Sequence, residues 1–360
     1  MSKRSEPARA FYKENTGREK ELKELLKSLQ TGQNVAIIAP PRFGKTALIT
    51  QALQQFKGKP ISTAYIDLLS NSTTELLSNS LIKETLKNHK LHKEYISARK
   101  DLGSFYTNKG LQTIAAAFPF ITRLDDHSLD TWELLSKCLD FPHVLSSSLN
   151  QKLICAYDNY GNGLHLESGG RLAKLVSSKI GQHTSTTHLL AGRNESAFLS
   201  LKAIHLIRMG FIESQFLIDS LDKKFTRLKI KMPRKYTNAL VYMTKGHPYY
   251  TKCAFEQIIL EHSLNGTIPS PKELKNLLMA AEKGYIEKVW EDLLHNKEYL
   301  HTMLALSQGS KNIYQRLQSM KINVARAQKN LELMGYLMKK ESGGYAIADP
   351  LLEYWLRKNR

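Results

Sequence analysis

The chain has 360 residues, 42% of them hydrophobic, which excludes a disordered protein and predicts two or three folded domains. It carries no apolar stretch near the roughly 20 residues that span a bilayer, no apolar signal-peptide core and only three widely spaced cysteines. We therefore expect a cytoplasmic protein without membrane association, and the net charge of +19 predicts either a nucleic-acid partner or a solvated basic surface.

The first predicted elements surround a short loop. Leucines spaced i, i+3, i+4 and i+7 predict an amphipathic helix over residues 17–29. The apolar run Val35–Ile38 predicts a strand, and a second helix follows from residue 44 to about residue 55. Between them, residues 39–46 read Ala-Pro-Pro-Arg-Phe-Gly-Lys-Thr, which is the Walker A arrangement of strand, phosphate loop and helix.

This loop predicts a site for a nucleoside triphosphate. In such loops backbone N–H groups wrap the β-phosphate, the lysine reaches the β- and γ-phosphates, and the threonine hydroxyl ligates Mg²⁺. Ala39 stands where the first glycine of the pattern belongs, and the alternative is a chance Gly-Lys-Thr sequence in a surface turn. The residues predicted to bind ATP here are Pro40, Pro41, Arg42, Phe43, Gly44, Lys45, Thr46 and Ala47.

A second strand over residues 63–68 completes a βαβ unit and implies a parallel sheet, and residues 71–150 have mostly helical patterns. Residues 152–159 then contain an apolar strand that ends in Asp158, followed by Asn159. An aspartate at this edge is typical of a Walker B acid, which holds Mg²⁺; the alternative is an aspartate that starts a turn.

Residue 159 affects the predicted chemistry. ATPases of this type usually carry glutamate after the Walker B aspartate, as the base that orients water. Here Asn159 occupies the position, and its amide cannot accept a proton. Hydrolysis is then slow, or another acid substitutes, with Glu195 and Glu167 as candidates.

A further strand over residues 187–191 is followed by Arg193. An arginine at this strand end can contact the γ-phosphate and sense its loss, whereas the alternative is an ordinary surface cation. The four strands predict the core of an open α/β sheet, with the ligand at the carboxyl ends of the strands.

From about residue 211 the pattern becomes helical and predicts a lid. Seven cations and no acid occur within residues 223–235, which is either a solvated face or a surface for phosphate-backbone contact. Residues 242–250 link two helices of this lid.

The last 65 residues predict a winged helix-turn-helix, with three helices followed by two short strands. The third helix, Val324–Met334, would lie in a DNA major groove. Such folds also serve as protein-interaction modules, which is the alternative. The residues expected to face DNA are Asn323, Arg326, Gln328, Lys329 and Asn330.

Taken together, five segments resemble the archaeal-type ATPase family, a group of P-loop ATPases allied to the AAA+ and STAND groups. They are Gly17-Arg18-Glu19, the Pro-Arg-x-Gly-Lys-Thr loop, the Asp158 strand, Gly246-His247-Pro248, and residues 345–357. The resemblance implies that Gly17 and Arg18 pack near the adenine. It also implies that Gly246-His247-Pro248 contacts the nucleotide and that His247 or Pro248 reports its presence to the winged helix.

The sequence thus predicts an α/β P-loop core over residues 1–210, a helical lid over 211–295 and a winged helix over 296–360. We expect a slow ATPase that acts as an ATP-dependent switch and associates with DNA, with Lys45, Asp158 and Arg193 as catalytic residues. Thr46 and Asp158 are the predicted Mg²⁺ ligands. The alternatives are a STAND-like signalling or defence ATPase that contacts protein, and a nucleotide-binding scaffold with little hydrolysis; a protein partner or homo-oligomer remains open.

Overall fold

The computed structural model describes residues 17–87, 92–98, 107–122, 130–160, 170–198, 201, 203–309, 312–340 and 342–359. Glu167, one of the two candidate substitute acids, lies outside these residues. Two compact units are present. The α/β unit comprises residues 20–38 and 45–208, and the C-terminal unit comprises residues 17–19, 39–44 and 209–359.

The α/β unit is built on a parallel five-stranded sheet with the order β2-β3-β4-β1-β5. The central strands β1 and β4 are buried along their whole length, which explains why β1 is a continuous apolar run. The strands are β1 Val35–Ile38, β2 Ile61–Asp67, β3 Lys152–Asp158, β4 Thr186–Gly192 and β5 His205–Arg208.

The fifth strand was not among the four that the sequence predicts. β5 has only two apolar residues, Leu206 and Ile207, between a histidine and an arginine. It lies at the sheet edge, where it pairs with β1, and three of its four residues are at least partly exposed. A strand that short gives no clear alternating pattern.

Helices pack on the sheet around an apolar core that includes Ile66, Leu81, Leu135 and Tyr157. The N-terminal cap of the longest of them is Asp130, whose carboxylate accepts from the backbone N–H groups of two residues in the first turn. The helices are α1 Glu19–Gln30, α2 Lys45–Gln54, α3 Thr74–Lys87, α4 His92–Ala98, α5 Lys109–Ala117, α6 Thr131–Ser148 and α7 Arg171–Ile180.

The C-terminal unit is mainly helical. Its helices are α8 Ser214–Arg227, α9 Arg234–Thr244, α10 Pro248–Asn265, α11 Pro271–Ala281, α12 Lys283–Leu294, α13 Lys297–Ser307, α14 Ile313–Gln318, α15 Val324–Met334 and α16 Pro350–Lys358. Strands β6 Leu337–Lys339 and β7 Tyr345–Ile347 pair antiparallel after α15. Helices α13 to α15 followed by this two-stranded wing form a winged helix.

The predicted fold class, an α/β P-loop core with a helical lid and a C-terminal winged helix, is confirmed. Lid and winged-helix residues share one apolar core, in which Leu217 and Leu240 occur together with Leu331 and Leu351. The division of this part of the chain at residue 295 therefore stays a prediction. Among the described residues, every helix is too short or too polar to cross a membrane.

Candidate active site

In the α/β unit, the start of α2 and the end of β3 bring together two residues that are far apart in the sequence. The Thr46 hydroxyl donates to Asp158 Oδ2 at 2.5 Å. Asp158 is the last residue of β3 and is fully buried. The Tyr65 hydroxyl on the neighbouring strand β2 donates to the same oxygen at 2.9 Å. The predicted Walker A and Walker B side chains are therefore in direct contact.

Lys45, the first residue of α2, is also part of this cluster. Its side chain is buried, with the residue only 8% exposed. Burial, together with the charge of Arg193, lowers the pKa of Lys45 to about 8, although the Asp158 carboxylate acts in the opposite direction. A bound phosphate would place a negative charge beside this buried ammonium group and favour its charged form.

The residues present fit a magnesium ion. The Thr46 hydroxyl and the Asp158 carboxylate are oxygen ligands, which Mg²⁺ prefers, and in nucleotide sites water and phosphate oxygens complete the coordination shell. Among the described residues, no group of three or more His, Cys, Asp or Glu side chains could hold a metal by itself. Thr46 and Asp158 would thus hold the ion together with the nucleotide.

The sequence reasoning missed two residues of β2 at this edge, Tyr65 and Asp67. Asp67 is the register partner of Asp158 on the adjacent strand, and the Asn159 side-chain amide donates to Asp67 Oδ1 at 2.8 Å. Burial raises the pKa of Asp67, but hydrogen bonds from Ser70, Asn159 and backbone N–H groups outweigh it and lower the pKa overall. The signal was present in the sequence, because Tyr-Ile-Asp ends one strand much as Ala-Tyr-Asp ends the other.

Glu195, the other candidate substitute acid, lies in a short 3₁₀ helix after β4. Its carboxylate accepts from Arg208 Nε at 2.5 Å. This ion pair holds the carboxylate at the end of β5, so Glu195 already has a cationic partner.

In the C-terminal unit, Arg42 at the tip of the loop is held by aromatic and acidic side chains. Its backbone has a φ of +67°, a left-handed conformation that is uncommon for a side chain of this size. The guanidinium lies over the rings of Tyr249 and Tyr285, at 4.7 and 4.2 Å from their centroids. Its Nη1 donates to Glu282 Oε2 at 2.6 Å. Burial lowers the pKa of Arg42, but the hydrogen bond and charge of Glu282 raise it overall.

The contacts of Arg42 continue to the last helix. Arg42 Nη1 also donates to the Tyr250 hydroxyl at 3.4 Å, and that hydroxyl donates to Asp349 Oδ2 at 2.6 Å. Asp349 caps α16 by accepting from two backbone N–H groups of its first turn. Burial raises the pKa of Asp349, partly offset by these hydrogen bonds. A chain of polar contacts thus runs from the loop to the start of α16.

The residues that the resemblance assigned to the nucleotide also meet in this unit. Phe43 packs against His247, with ring centroids 4.6 Å apart, and Arg18 donates to the backbone carbonyl of Gly210 at 2.5 Å. His247 caps α10, whose first residue is Pro248. Burial, Arg42 and Arg18 lower the pKa of His247 to about 3, so its ring is neutral at physiological pH.

The two glycine motifs converge on one residue. Gly17 and Gly246 both have positive φ, and a Cβ built on either would overlap Ile212, through its side chain and its carbonyl oxygen respectively. Gly44 in the phosphate loop differs, because no described atom lies within 4 Å of a Cβ built there.

The other residues predicted to bind the nucleotide differ in exposure. Pro40 is buried, whereas Thr46 and Ala47 are exposed. Their roles in nucleotide binding stay predictions.

The expectation that five polar residues of α15 face outward is wrong for Gln328. Gln328 is 5% exposed and its Oε1 accepts from the Tyr314 hydroxyl at 3.1 Å. Arg326 is exposed but makes two hydrogen bonds to Glu298, and Asn323 caps the helix. Lys329 is exposed.

The cation run of residues 223–235 does not form one uniform surface. Lys224 is buried on α8. Arg234 bonds to Asp219 at 2.9 Å and to Asp222 at 3.0 Å. The other members of the run are exposed: Lys223, Arg227, Lys229, Lys231 and Lys235.

A parallel sheet of this order, with a phosphate loop after β1 and a buried aspartate at the end of β3, defines the fold class of P-loop ATPases. Among solved structures, the chain is similar to the Walker-type ATPase PABY2304 of Pyrococcus abyssi, with a TM-score of 0.68 and 18% identity over 95% of this chain and 96% of that one. The resemblance predicted from the sequence is thus confirmed at the level of the fold.

Two further neighbours come from Aeropyrum pernix. The ORC2 protein, in ADPNP and ADP complexes, has a TM-score of 0.57 and 12% identity, covering 97% of this chain and 96% of that one. The ORC1 protein, in complex with DNA, has a TM-score of 0.51 and 14% identity, covering 96% and 94%. No family model and no curated protein matches the sequence.

Proposed function

We propose that this chain binds ATP together with Mg²⁺, hydrolyses it slowly, and acts as a nucleotide-dependent switch that associates with DNA. The observation that carries the proposal is the contact between Thr46 and Asp158 beside the buried Lys45. A hydroxyl, a carboxylate and a buried ammonium group form the combination that a triphosphate and its metal require.

Each residue of the site then has a defined task. The backbone N–H groups of the loop and the N-terminus of α2 bind the phosphates, and Lys45 neutralises the β- and γ-phosphates. Thr46 and Asp158 hold Mg²⁺, which supplies charge neutralisation when bound. Arg193, which acts electrostatically on Lys45, contacts the γ-phosphate and senses its loss.

The contacts of Arg42 support a switch. A ligand shifts a conformational equilibrium only through contacts that differ between the states. Arg42 belongs to the phosphate loop and is linked through Tyr250 to Asp349 at the start of α16. Nucleotide that rearranges the loop changes these contacts and so changes the packing of the C-terminal helix.

DNA association is supported by charge and fold. The net charge of +19 favours a polyanionic partner, and the chain contains a winged helix and exposed cations on α8 and after it. The ORC1 neighbour was solved in complex with DNA. We infer the same class of partner here, bound chiefly through its phosphates.

A second candidate is a signalling or defence ATPase whose winged helix contacts protein. Two observations favour it: Gln328 is buried, and Arg326 is bonded to Glu298, so α15 offers few side chains to read bases. The presence of Asn159 favours a third candidate, a scaffold that binds ATP with little turnover.

One experiment separates these candidates. Phosphate release is measured with and without duplex DNA, alongside an electrophoretic binding assay at several salt concentrations. Release together with steeply salt-dependent DNA binding supports the proposal. Oligomerisation on ATP without DNA affinity supports the second candidate, and ATP binding without phosphate release supports the third.

A further inference from the structure

We propose that Asp67 is the general base that takes a proton from the attacking water, and that Asn159 positions it. This inference rests on the proposed ATP hydrolysis and deepens it. Asn159 occupies the position where the base is expected, yet its amide cannot accept a proton. The carboxylate that its amide contacts is Asp67.

The sheet places Asp67 where such a base is needed. Asp67 and Asp158 are register partners at the carboxyl ends of adjacent parallel strands, which lie about 4.8 Å apart in sheets generally. Ligands of open α/β sheets bind at this edge. Asp67 is therefore one strand away from the residue that holds the metal, on the same edge.

The conformation of Asn159 directs its side chain toward Asp67. Its φ is +57°, and its backbone N–H donates to Asp158 Oδ1 at 2.8 Å. With the backbone fixed in this way, the side chain crosses to β2 and donates to Asp67 Oδ1 at 2.8 Å. A bond from a neutral amide orients the carboxylate and leaves its negative charge in place.

The other acids nearby are engaged differently. Asp158 Oδ2 accepts from both Thr46 and Tyr65, and Glu195 is paired with Arg208.

Asp67 accepts from the Leu69 N–H at 3.1 Å and the Ser70 hydroxyl at 2.5 Å. Asp67 is only half-buried and both of these neighbours are exposed, so water reaches this carboxylate.

The reaction step balances without a further reactant. The water oxygen forms a bond to the γ-phosphorus, and the bond between that phosphorus and the β,γ-bridging oxygen breaks. ADP leaves with the electron pair of the broken bond, and the proton released by water passes to the Asp67 carboxylate. The products are ADP, inorganic phosphate and a proton that Asp67 returns to solvent.

The test compares Asp67→Asn with the exchange variant Asp67→Asn/Asn159→Asp. Asparagine keeps the turn after β2, because its side-chain oxygen still accepts from the Leu69 N–H and its NH2 group can donate to the Ser70 hydroxyl, but it cannot take a proton. General bases contribute about 10²–10⁴-fold, so we expect Asp67→Asn to lower kcat for phosphate release at least about 100-fold, with ATP affinity within threefold of wild type. The exchange variant places a carboxylate at position 159, directly after β3. We expect its kcat to be at least about tenfold higher than that of Asp67→Asn.

Glu75→Gln serves as the matched control, because Glu75 is an exposed carboxylate in the first turn of the helix that follows β2. Circular dichroism and ATP calorimetry check that each variant is folded. Wild-type turnover in Asp67→Asn, an exchange variant no faster than Asp67→Asn, or a loss confined to Glu195→Gln overturns the assignment. A wild-type chain that binds ATP without releasing phosphate overturns it too, whereas a chain that fails to bind ATP overturns the proposed function itself.

Discussion

At the scale of single residues, Lys45 has the most to gain from a bound triphosphate. Its ammonium group is buried, and burial lowers its pKa despite the nearby Asp158 carboxylate. Hydrogen bonds between charged groups contribute about 1.5–3 kcal/mol each, and Lys45 would make them to two phosphates. We therefore expect Lys45→Ala to weaken ATP binding at least about 100-fold in isothermal titration calorimetry.

The matched control is Lys57→Ala, since Lys57 is an exposed lysine just beyond the end of α2. Its affinity for ATP should stay within about twofold of wild type, because its charge is solvated. ATP affinity that survives in the Lys45→Ala chain would place the nucleotide elsewhere.

Asp158 is expected to control the response to Mg²⁺. Asp158→Ala removes the carboxylate that contacts Thr46, so ATP affinity should become nearly independent of Mg²⁺. Tyr65→Phe is the control, because it removes the other donor to this carboxylate and leaves the metal ligands intact. Calorimetric titrations with Mg²⁺ and with EDTA measure both. An unchanged Mg²⁺ response in Asp158→Ala would contradict the Walker B role.

These residues show how far the sequence predicts the site. Lys45, Thr46 and Asp158 follow strands with strong apolar signals, so local pattern alone placed them at the same sheet edge. The partners of Arg42 could not be predicted in this way. Tyr249 and Glu282 are more than 200 residues away along the chain, and only tertiary packing brings them to the loop.

At the scale of elements, one buried hydroxyl on α10 bonds to the residue that caps α16. Tyr250 is fully buried, and its hydroxyl donates to the buried carboxylate of Asp349. Tyr250→Phe leaves that carboxylate short of a donor, which should lower the free energy of unfolding by about 1–3 kcal/mol. Urea denaturation at neutral pH measures the loss, with Tyr242→Phe as the control because Tyr242 is 87% exposed.

The pH dependence of this loss has a defined sign. The pKa of Asp349 is already raised by burial, and removing the Tyr250 hydroxyl raises it further because that bond favours the charged form. The penalty of Tyr250→Phe is therefore greatest when Asp349 is ionised and decreases as the pH falls through the raised pKa of Asp349. An effect independent of pH would show that the hydroxyl acts through packing alone.

The elements themselves were predictable where an apolar pattern was long or its ends were marked. The bounds of β1 and α15 agree with those predicted from the sequence. An apolar run defines β1, and the capping residues Asn323 and Gly335 mark the ends of α15. β5 was missed because two apolar residues give no period. The placement of Gln328 was wrong because helical spacing does not reveal that Tyr314, on α14, supplies a hydrogen-bond partner for the buried Gln328 side chain.

At the scale of the whole molecule, the excess of cations has to be assigned to a surface. A net charge of +19 predicts salt-dependent attraction to DNA but does not say which residues make the contacts. The structure offers two surfaces of the C-terminal unit: the exposed lysines of α8 and the following turn, and Lys329 on α15. Arg326 and Arg234 are already paired with acids, which weakens their part in either.

We expect the lysines of α8 and the turn after it to dominate. Lys223, Lys229 and Lys231 are all exposed, and changing the three to alanine should lower the slope of log K against log salt by about 3, since each phosphate contact contributes about 0.9. Because phosphate contacts carry no sequence information, the loss should be equal for unrelated duplexes in fluorescence anisotropy titrations. The control changes three exposed lysines of α1, Lys20, Lys23 and Lys27, to alanine and should leave the slope unchanged. If only Lys329→Ala reduces the slope, the DNA contact belongs to the winged helix instead. If no variant changes the slope, DNA is not the partner of this basic surface.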